Sequence, residues 1–143
     1  MTGRGYSDDR GLGGHKGGGR SAHRVPRDGQ TPQGLFAPDV FLDLSLPQWR
    51  VQTDTVEDAL AVRASGHPCT GQVRVERLSR TDTGFVFAFE EQWEHGGQSW
   101  YCREMIRADV VDDTIVDMAV YCTGDWDEVT QRRHAGTVEL LRP

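Results

Sequence analysis

Residues 85–123 have the sequence FVFAFEEQWEHGGQSWYCREMIRADVVDDTIVDMAVYCT, and their pattern sets the expected architecture of the domain. Aromatic and β-branched residues dominate this stretch, and turn-forming residues interrupt it at 96–97 and 111–113. This pattern predicts three strands, over about 85–95, 98–110 and 114–123. Because short turns join antiparallel neighbours, the stretch predicts two consecutive hairpins in one sheet.

The lengths of the two turns predict which residues face each other. A two-residue turn at Gly96-Gly97 predicts the pairs Trp93–Trp100, Glu91–Cys102, Phe89–Glu104 and Phe87–Ile106. A three-residue turn at 111–113 predicts the pairs Cys102–Cys122, Glu104–Val120 and Ile106–Met118.

The same register divides the sheet into two faces. One face, core or pocket, collects apolar residues: Phe85, Phe87, Phe89, Trp93, Trp100, Ile106, Ala108, Val116, Met118 and Val120. The opposite face, solvated or dimer-forming, sets Glu90 across from Arg103, Arg107 across from Asp117, and Arg103 across from Tyr121.

Two acids, Glu91 and Glu104, interrupt the aromatic face as diagonal neighbours on adjacent strands. Burial raises the pKa of a carboxyl group, and a neighbouring like charge raises one of the pair further. Such a pair supplies the proton donor and the base of acid–base catalysis. The alternative is that both acids are solvated or hydrogen-bonded to Trp or Tyr at an open end of the sheet.

The remaining elements follow from local patterns. Alternating apolar residues predict a strand over 39–46, with Val40 and Leu42 on its inner face. A helix is predicted from an N-cap at Asp54 to about Ala64. A further strand is predicted over 71–79 and a last helix from about Asp125, with Glu128 at its capping-box position; 138–141 could form a short strand or a docking tail.

Composition separates residues 1–34 from the rest of the chain. This segment holds ten of the 17 glycines and six basic against three acidic side chains, while the whole chain carries a net charge of -6. A segment so poor in apolar groups predicts a disordered Gly/Arg-rich arm, followed by a folded domain at 35–143. An RNA-binding arm is a weaker alternative, because the scattered Arg-Gly fragments lack interleaved aromatic residues.

The whole-chain patterns exclude several classes of protein. No apolar run approaches the roughly 20 residues of a membrane-spanning helix, and the acidic balance disfavours nucleic acid as a partner. No apolar leader follows Met1, so the expected location is the cytoplasm, where Cys69, Cys102 and Cys122 stay reduced.

Cofactor and metal motifs are also lacking in the sequence. The histidines His67, His95 and His134 have no metal-ligand spacing, and His95 and His134 are expected at the surface. There is no nucleophile elbow and no phosphate-binding loop. We therefore expect no metal and no cofactor.

The domain resembles the NTF2-like superfamily. Residues 35–40, LFAPDV, resemble the family's entry into its first strand, and 113–117, DTIVD, resemble the start of its final strand. LPQWR at 46–50 and YCTGDWD at 121–127 are similar to the SnoaL-like actinobacterial members. The resemblance implies an α+β cone around a pocket for an apolar ligand. Residues 1–34 depart from the family because they lack the amphipathic helices that close the cone.

These observations lead to one functional hypothesis and one rival. The first is binding of a small apolar or polyketide-like molecule, with cofactor-free cyclisation, isomerisation or dehydration if Glu91 and Glu104 form a proton-transfer pair. Candidate pocket or rim residues are Trp49, Phe87, Phe89, Trp93, Trp100, Cys102, Met118 and Tyr121. The rival is a non-catalytic scaffold or partner-binding domain, and a homodimer is expected under either.

Overall fold

A computed structural model describes residues 31–142. Six strands form one curved, mixed sheet in the order β2-β1-β6-β5-β4-β3, with two helices. The strands are β1 (Phe36–Ser45), β2 (Arg50–Thr53), β3 (Gln72–Arg80), β4 (Gly84–His95), β5 (Gln98–Val111) and β6 (Thr114–Cys122); the helices are α1 (Val56–Gly66) and α2 (Glu128–Thr137). Apart from residues 31–34, the predicted Gly/Arg-rich arm lies outside the described residues.

The α+β class is confirmed, and the sheet is mixed where the prediction was antiparallel. Strand β1 pairs with β6 in parallel, whereas the other four strand pairs are antiparallel. Each of these four antiparallel pairs is a hairpin of consecutive strands, so a short turn fixes its direction. No short turn links β1 to β6, so the pattern of the sequence did not set their direction.

The β4–β5 hairpin has the predicted register. Trp93 faces Trp100, Glu91 faces Cys102 and Phe89 faces Glu104. Gly96 and Gly97 have φ angles of +63° and +77°, the left-handed backbone that a two-residue hairpin turn requires.

The predicted β5–β6 pairs are wrong by two residues. The turn consists of two residues, Asp112 and Asp113, both at positive φ, and not of three. In addition, β6 contains a bulge: Asp109 faces Asp117 while Val110 faces Ile115, so Val116 has no partner on β5. Glu104 therefore faces Cys122 instead of Val120, Ile106 faces Val120 instead of Met118, and Cys122 is not opposite Cys102.

The two-residue shift preserves which side chains share a face. Ala108 and Met118 still lie with Ile106 and Val120, and the bulge puts Ile115 into the core where Val116 was expected. On the opposite face, Tyr121 faces Met105 and Arg107 faces Ala119, so neither predicted partner is directly opposite. Arg107 still donates to Asp117 across the diagonal, at 3.0 Å.

Both helices begin one or more residues away from the predicted starts. The N-cap of α1 is Thr55 instead of Asp54: its hydroxyl accepts from the Asp58 N–H at 3.1 Å. The N-cap of α2 is Asp127 instead of Asp125, because the backbone of Trp126 still pairs with Tyr101 of β5. Glu128 accepts from the Ser99 N–H, at 3.0 Å, and is not part of a capping box.

The core lies between α1 and the sheet. Helix α1 packs on β1 and β2, and Ala59 meets the inner residues Val40 and Leu42, whose predicted alternation is confirmed. Residues 138–141 form neither strand nor helix and are exposed. Within residues 31–142, neither helix has the length and apolar character needed to span a bilayer.

Candidate active site

The predicted acid pair lies on the face of the sheet that α1 covers in part. Single donor atoms of His67, Glu91, Cys102 and Glu104 all lie within 4.8 Å of one another. Glu91 comes from β4 and Cys102 and Glu104 come from β5, in the register that the Gly96-Gly97 turn imposes. The site therefore brings together the two predicted acids with a histidine that delimits the end of α1.

Glu91 is an ionised carboxylate that binds Arg63 and His67. It is 2% exposed, and Nη2 of Arg63 donates to both of its carboxylate oxygens, at 2.8 and 2.7 Å. Nδ1 of His67 lies 3.1 Å from Oε2 of the same group. Burial raises the pKa of Glu91, but hydrogen bonds from His67 and Arg63 outweigh burial, so the pKa falls below its usual value.

His67 lies between two carboxylates. Its side chain is 6% exposed, Nε2 lies 3.0 Å from Oδ1 of Asp125, and Nδ1 faces Glu91 and contacts Arg63. The ring packs against Trp93, with centroids 4.2 Å apart. Burial lowers the pKa of the imidazole, but the hydrogen bonds to Asp125 and Glu91 raise it to about 9. His67 is therefore a cation at neutral pH.

Glu104 has the weakest polar contacts of the cluster. Its side chain is 8% exposed, its Oε1 lies 3.8 Å from Nη1 of Arg63, and the Cys102 thiol donates to it at 3.7 Å. Burial raises the pKa of Glu104 and outweighs the attraction of Arg63 and His67. This carboxyl group can therefore hold and release a proton closer to neutrality than an ordinary glutamate.

Ion pairs link the side chains of the cluster in this structure. The donor atoms of the cluster are close enough together to surround a cation, but the guanidinium of Arg63 occupies both oxygens of Glu91 and approaches Glu104. The positive charge that a metal ion would supply is already provided by Arg63 and His67.

Three residues of the site were missed by the sequence prediction: Arg63, His67 and Asp125. Ala59, Arg63 and His67 are spaced by four residues, which places them along one side of a helix. Since Ala59 is in the core, that spacing could have indicated that Arg63 and His67 face the sheet. No comparable pattern marks Asp125, which follows β6 in a loop.

The predicted pocket residues divide into two groups. Phe87, Phe89, Trp93, Trp100, Cys102 and Met118 share the α1 face, where Phe87 stacks on Phe89 and Trp93 on Trp100. Trp49 lies in the β1–β2 turn, 72% exposed, and Tyr121 is exposed on the opposite face. These two residues are not brought to the site.

The opposite face carries an open groove of about 710 Å³ beside α2. Its polar walls are paired with each other: Arg103 donates to both oxygens of Glu76, and Tyr101 donates to Glu90 at 3.0 Å. The predicted Glu90–Arg103 pair is confirmed. His134, expected at the surface, is half-buried against Trp126, and His95 is exposed as expected.

The comparisons with known proteins find similarity in three-dimensional structure but none in sequence families. No family model matches the sequence, and no curated protein matches it. An NTF2-like protein of unknown function from Burkholderia xenovorans is similar over 75% of this chain and 77% of its own, with 14% identity and a TM-score of 0.46. Another, from Cytophaga hutchinsonii, covers 62% of this chain and 79% of its own, with 13% identity and a TM-score of 0.41.

A ketosteroid isomerase-like protein from Kribbella flavida is also similar. It is 22% identical over 76% of this chain and 74% of its own, with a TM-score of 0.43. At these identities nothing about the function of this chain follows from the likenesses. The fold of this chain is an α+β arrangement, in which a curved six-stranded sheet carries α1 on one face.

Proposed function

We propose that the protein binds a small apolar carbonyl compound over the α1 face of the sheet and moves a proton on its carbon skeleton. The reaction class is cofactor-free isomerisation, cyclisation or dehydration of a polyketide-like molecule, as in a SnoaL-like member of the family. Glu104 is the group that takes and returns the proton. Arg63 and His67 supply positive charge for the oxyanion that forms when carbon loses the proton.

The proposal rests on a difference in pKa and in polar contacts between two neighbouring acids, Glu91 and Glu104. Glu91 is fully engaged by Arg63 and His67, with a lowered pKa, whereas Glu104 has a raised pKa and only long polar contacts. A base works best when its pKa lies near the working pH, which Glu104 approaches and Glu91 does not. Glu91 is therefore a positioning residue that holds the two cations beside Glu104.

The surroundings of Glu104 fit an apolar substrate. Its neighbours on the α1 face include Phe87, Phe89 and Ile106, and Phe89 is directly opposite it on β4. Phe87 and Ile106 are half-buried, so part of this apolar face is open. Helix α1 packs on β1 and β2, which lie at the opposite edge of the sheet from β3 and β4. A flat carbonyl compound could stack there within reach of the carboxyl group.

Exchange of carbon-bound hydrogen tests the proposal without knowledge of the natural substrate. The full-length protein is incubated in D₂O with 2-tetralone and with cyclohex-3-enone, and deuterium incorporation is followed by NMR. We expect exchange above the buffer rate, reduced by about 100-fold or more in Glu104→Gln, the order of magnitude of general-base catalysis.

Glu94→Gln is the matched control, because Glu94 is an exposed acid on β4 outside the cluster. It should exchange as the wild type does. Exchange that persists in Glu104→Gln, or buffer-rate exchange of both ketones by the wild type, would contradict the proposal.

A second candidate function is a partner-binding or dimerising module. Strand β3 is an edge of the sheet and exposes Val73, Val75 and Leu78, each at least half-exposed. An exposed apolar edge strand is a typical site for pairing with another chain. Light scattering of the wild type and of Val75→Lys tests this: a dimer that the substitution dissociates, without ketone exchange by either protein, would favour the module.

A further inference from the structure

Two cysteines lie side by side where strand β6 ends. The sulfur atoms of Cys102 and Cys122 and a carboxylate oxygen of Asp125 all lie within 4.8 Å of one another. Cys102 is fully buried, Cys122 is half-buried, and both are free thiols. Because Glu104 faces Cys122, the two cysteines are diagonal neighbours on adjacent strands. The proton-transfer mechanism uses neither thiol.

The sulfur of Cys122 has the environment of a reactive thiolate. The Gly124 N–H donates to it at 3.3 Å, from a backbone whose φ is +82°. The adjacent Cys102 thiol and the Gly124 N–H lower the pKa of Cys122, and they outweigh burial and the negative charges of Glu104 and Asp125, which raise it. Since the thiolate is the nucleophilic form, Cys122 is the thiol of this pair that meets an oxidant first.

The sulfur of Cys102 has the opposite properties. The neighbouring Cys122 and burial both raise its pKa, so it stays protonated, and it is out of reach of solvent. It donates to Oε1 of Glu104 at 3.7 Å. Because it is buried beside a half-buried thiol, Cys102 can meet an oxidised Cys122 but not a dissolved oxidant.

We infer that Cys122 is an oxidation site for hydroperoxides and that Cys102 resolves the oxidised sulfur into a reversible intramolecular disulfide. The Cys122 thiolate attacks one peroxide oxygen; the O–O bond breaks, and Cys122 becomes a sulfenic acid while the peroxide is reduced to water or an alcohol. The Cys102 sulfur then attacks the Cys122 sulfur; the S–O bond breaks, and the leaving hydroxide takes the Cys102 proton as a second water. The two thiols are the two-electron reductant.

The geometry favours a disulfide that is easily reduced again. Diagonal neighbours in a sheet are about 7–8 Å apart at the backbone, beyond the roughly 7 Å that a disulfide spans without backbone movement. Strand β6 ends at Cys122, but the Thr123 N–H donates to the Arg103 carbonyl at 3.0 Å, so the approach of the sulfurs must distort this pairing. A bond that needs such a distortion retains strain, and strained disulfides have the more oxidising potentials of reversible ones.

Peptide mapping of the full-length protein tests the inference. The protein is treated with a few equivalents of hydrogen peroxide, alkylated with iodoacetamide and digested without reduction. We expect two of the three thiols to resist alkylation, a peptide pair cross-linked through Cys102 and Cys122, and full recovery of both thiols with dithiothreitol.

Single substitutions separate the two roles. In Cys102→Ser, and in Cys102→Ala if the serine variant does not fold, Cys122 should be trapped as a sulfenic acid by dimedone. In Cys122→Ser, dimedone should not label Cys102. Cys69→Ser is the matched control, since Cys69 lies elsewhere and donates to the Glu94 carbonyl; it should form the cross-link as the wild type does. A cross-link to Cys69, or three alkylated thiols after peroxide treatment, would overturn the inference.

Discussion

Nη2 of Arg63 donates to both carboxylate oxygens of Glu91, at 2.8 and 2.7 Å. The cation comes from the last turn of α1 and the acid from β4, so this ion pair joins the end of the helix to the strand beside the sheet edge β3. Because Glu91 is buried while Arg63 is 47% exposed, the acid depends on the pair more than the cation does.

Removal of Arg63 therefore destabilises the fold. Arg63→Met leaves a buried carboxylate with His67 as its remaining ion-pair partner. Loss of one partner of a buried pair costs about 3–5 kcal/mol, and the exposure of Arg63 reduces this to about 2 kcal/mol. Urea unfolding at pH 7 measures the loss. Arg132→Met, which breaks the exposed Arg132–Glu128 pair, is the control and should leave the free energy of unfolding unchanged.

His67 makes stability depend on pH in the alkaline range. Its pKa is raised from 6.5 to about 9 in the folded protein, so its contribution is fully present below pH 6.5 and is lost as pH rises through 9. The free energy of unfolding should fall by roughly 1–3 kcal/mol over that range. Imidazole NMR titration checks the pKa directly, and His67→Asn should flatten the pH dependence. A folded-state pKa near 6.5 would contradict the assignment.

The hairpin turns explain why part of the fold was predictable. Gly96-Gly97 predicts a two-residue turn, and that length fixed the register of β4 on β5, and with it the adjacency of Glu91 and Glu104. Aspartate indicates a left-handed backbone less clearly than glycine does, and the bulge at Val116 has no recognisable sequence pattern. The β5–β6 register therefore could not be predicted from the sequence. The faces of the paired residues were still assigned correctly, since a shift by two residues keeps a side chain on its face; the exception is Val116, whose expected place in the core Ile115 takes.

The rest of the site depends on contacts between distant elements. Arg63 and His67 reach the acids because α1 ends over β4, and Asp125 reaches His67 from a loop 58 residues later. Local patterns set where a helix begins and ends, but not where its end lies on a sheet. The acids were therefore predictable and their cationic partners were not.

Substitutions that suit positive φ angles should stabilise the β5–β6 turn. Asp112 and Asp113 have φ angles of +49° and +63°, which asparagine and glycine adopt at lower cost. The double substitution Asp112→Asn and Asp113→Gly should raise the free energy of unfolding by about 0.5–1 kcal/mol. Gly97→Ala, at φ +77°, should lower it. Thermal unfolding measures both, and a loss of stability in the Asn-Gly variant would contradict the assigned turn.

Opposite responses to the same substitution distinguish Glu91 from Glu104. Glu104 has a raised pKa in the folded state, so folding opposes its ionisation: above pH 4.5 its contribution to stability falls as pH rises toward the folded-state value. Glu104→Gln removes this cost and should leave stability at pH 7 unchanged or higher by up to about 1 kcal/mol. Glu91→Gln strips a buried counter-ion from Arg63 and His67 and should cost about 2–3 kcal/mol. Urea unfolding at pH 7 and at pH 5 compares the two variants. Equal losses in both would show that Glu104 is as firmly paired as Glu91, which would remove it as the base of the proposed reaction.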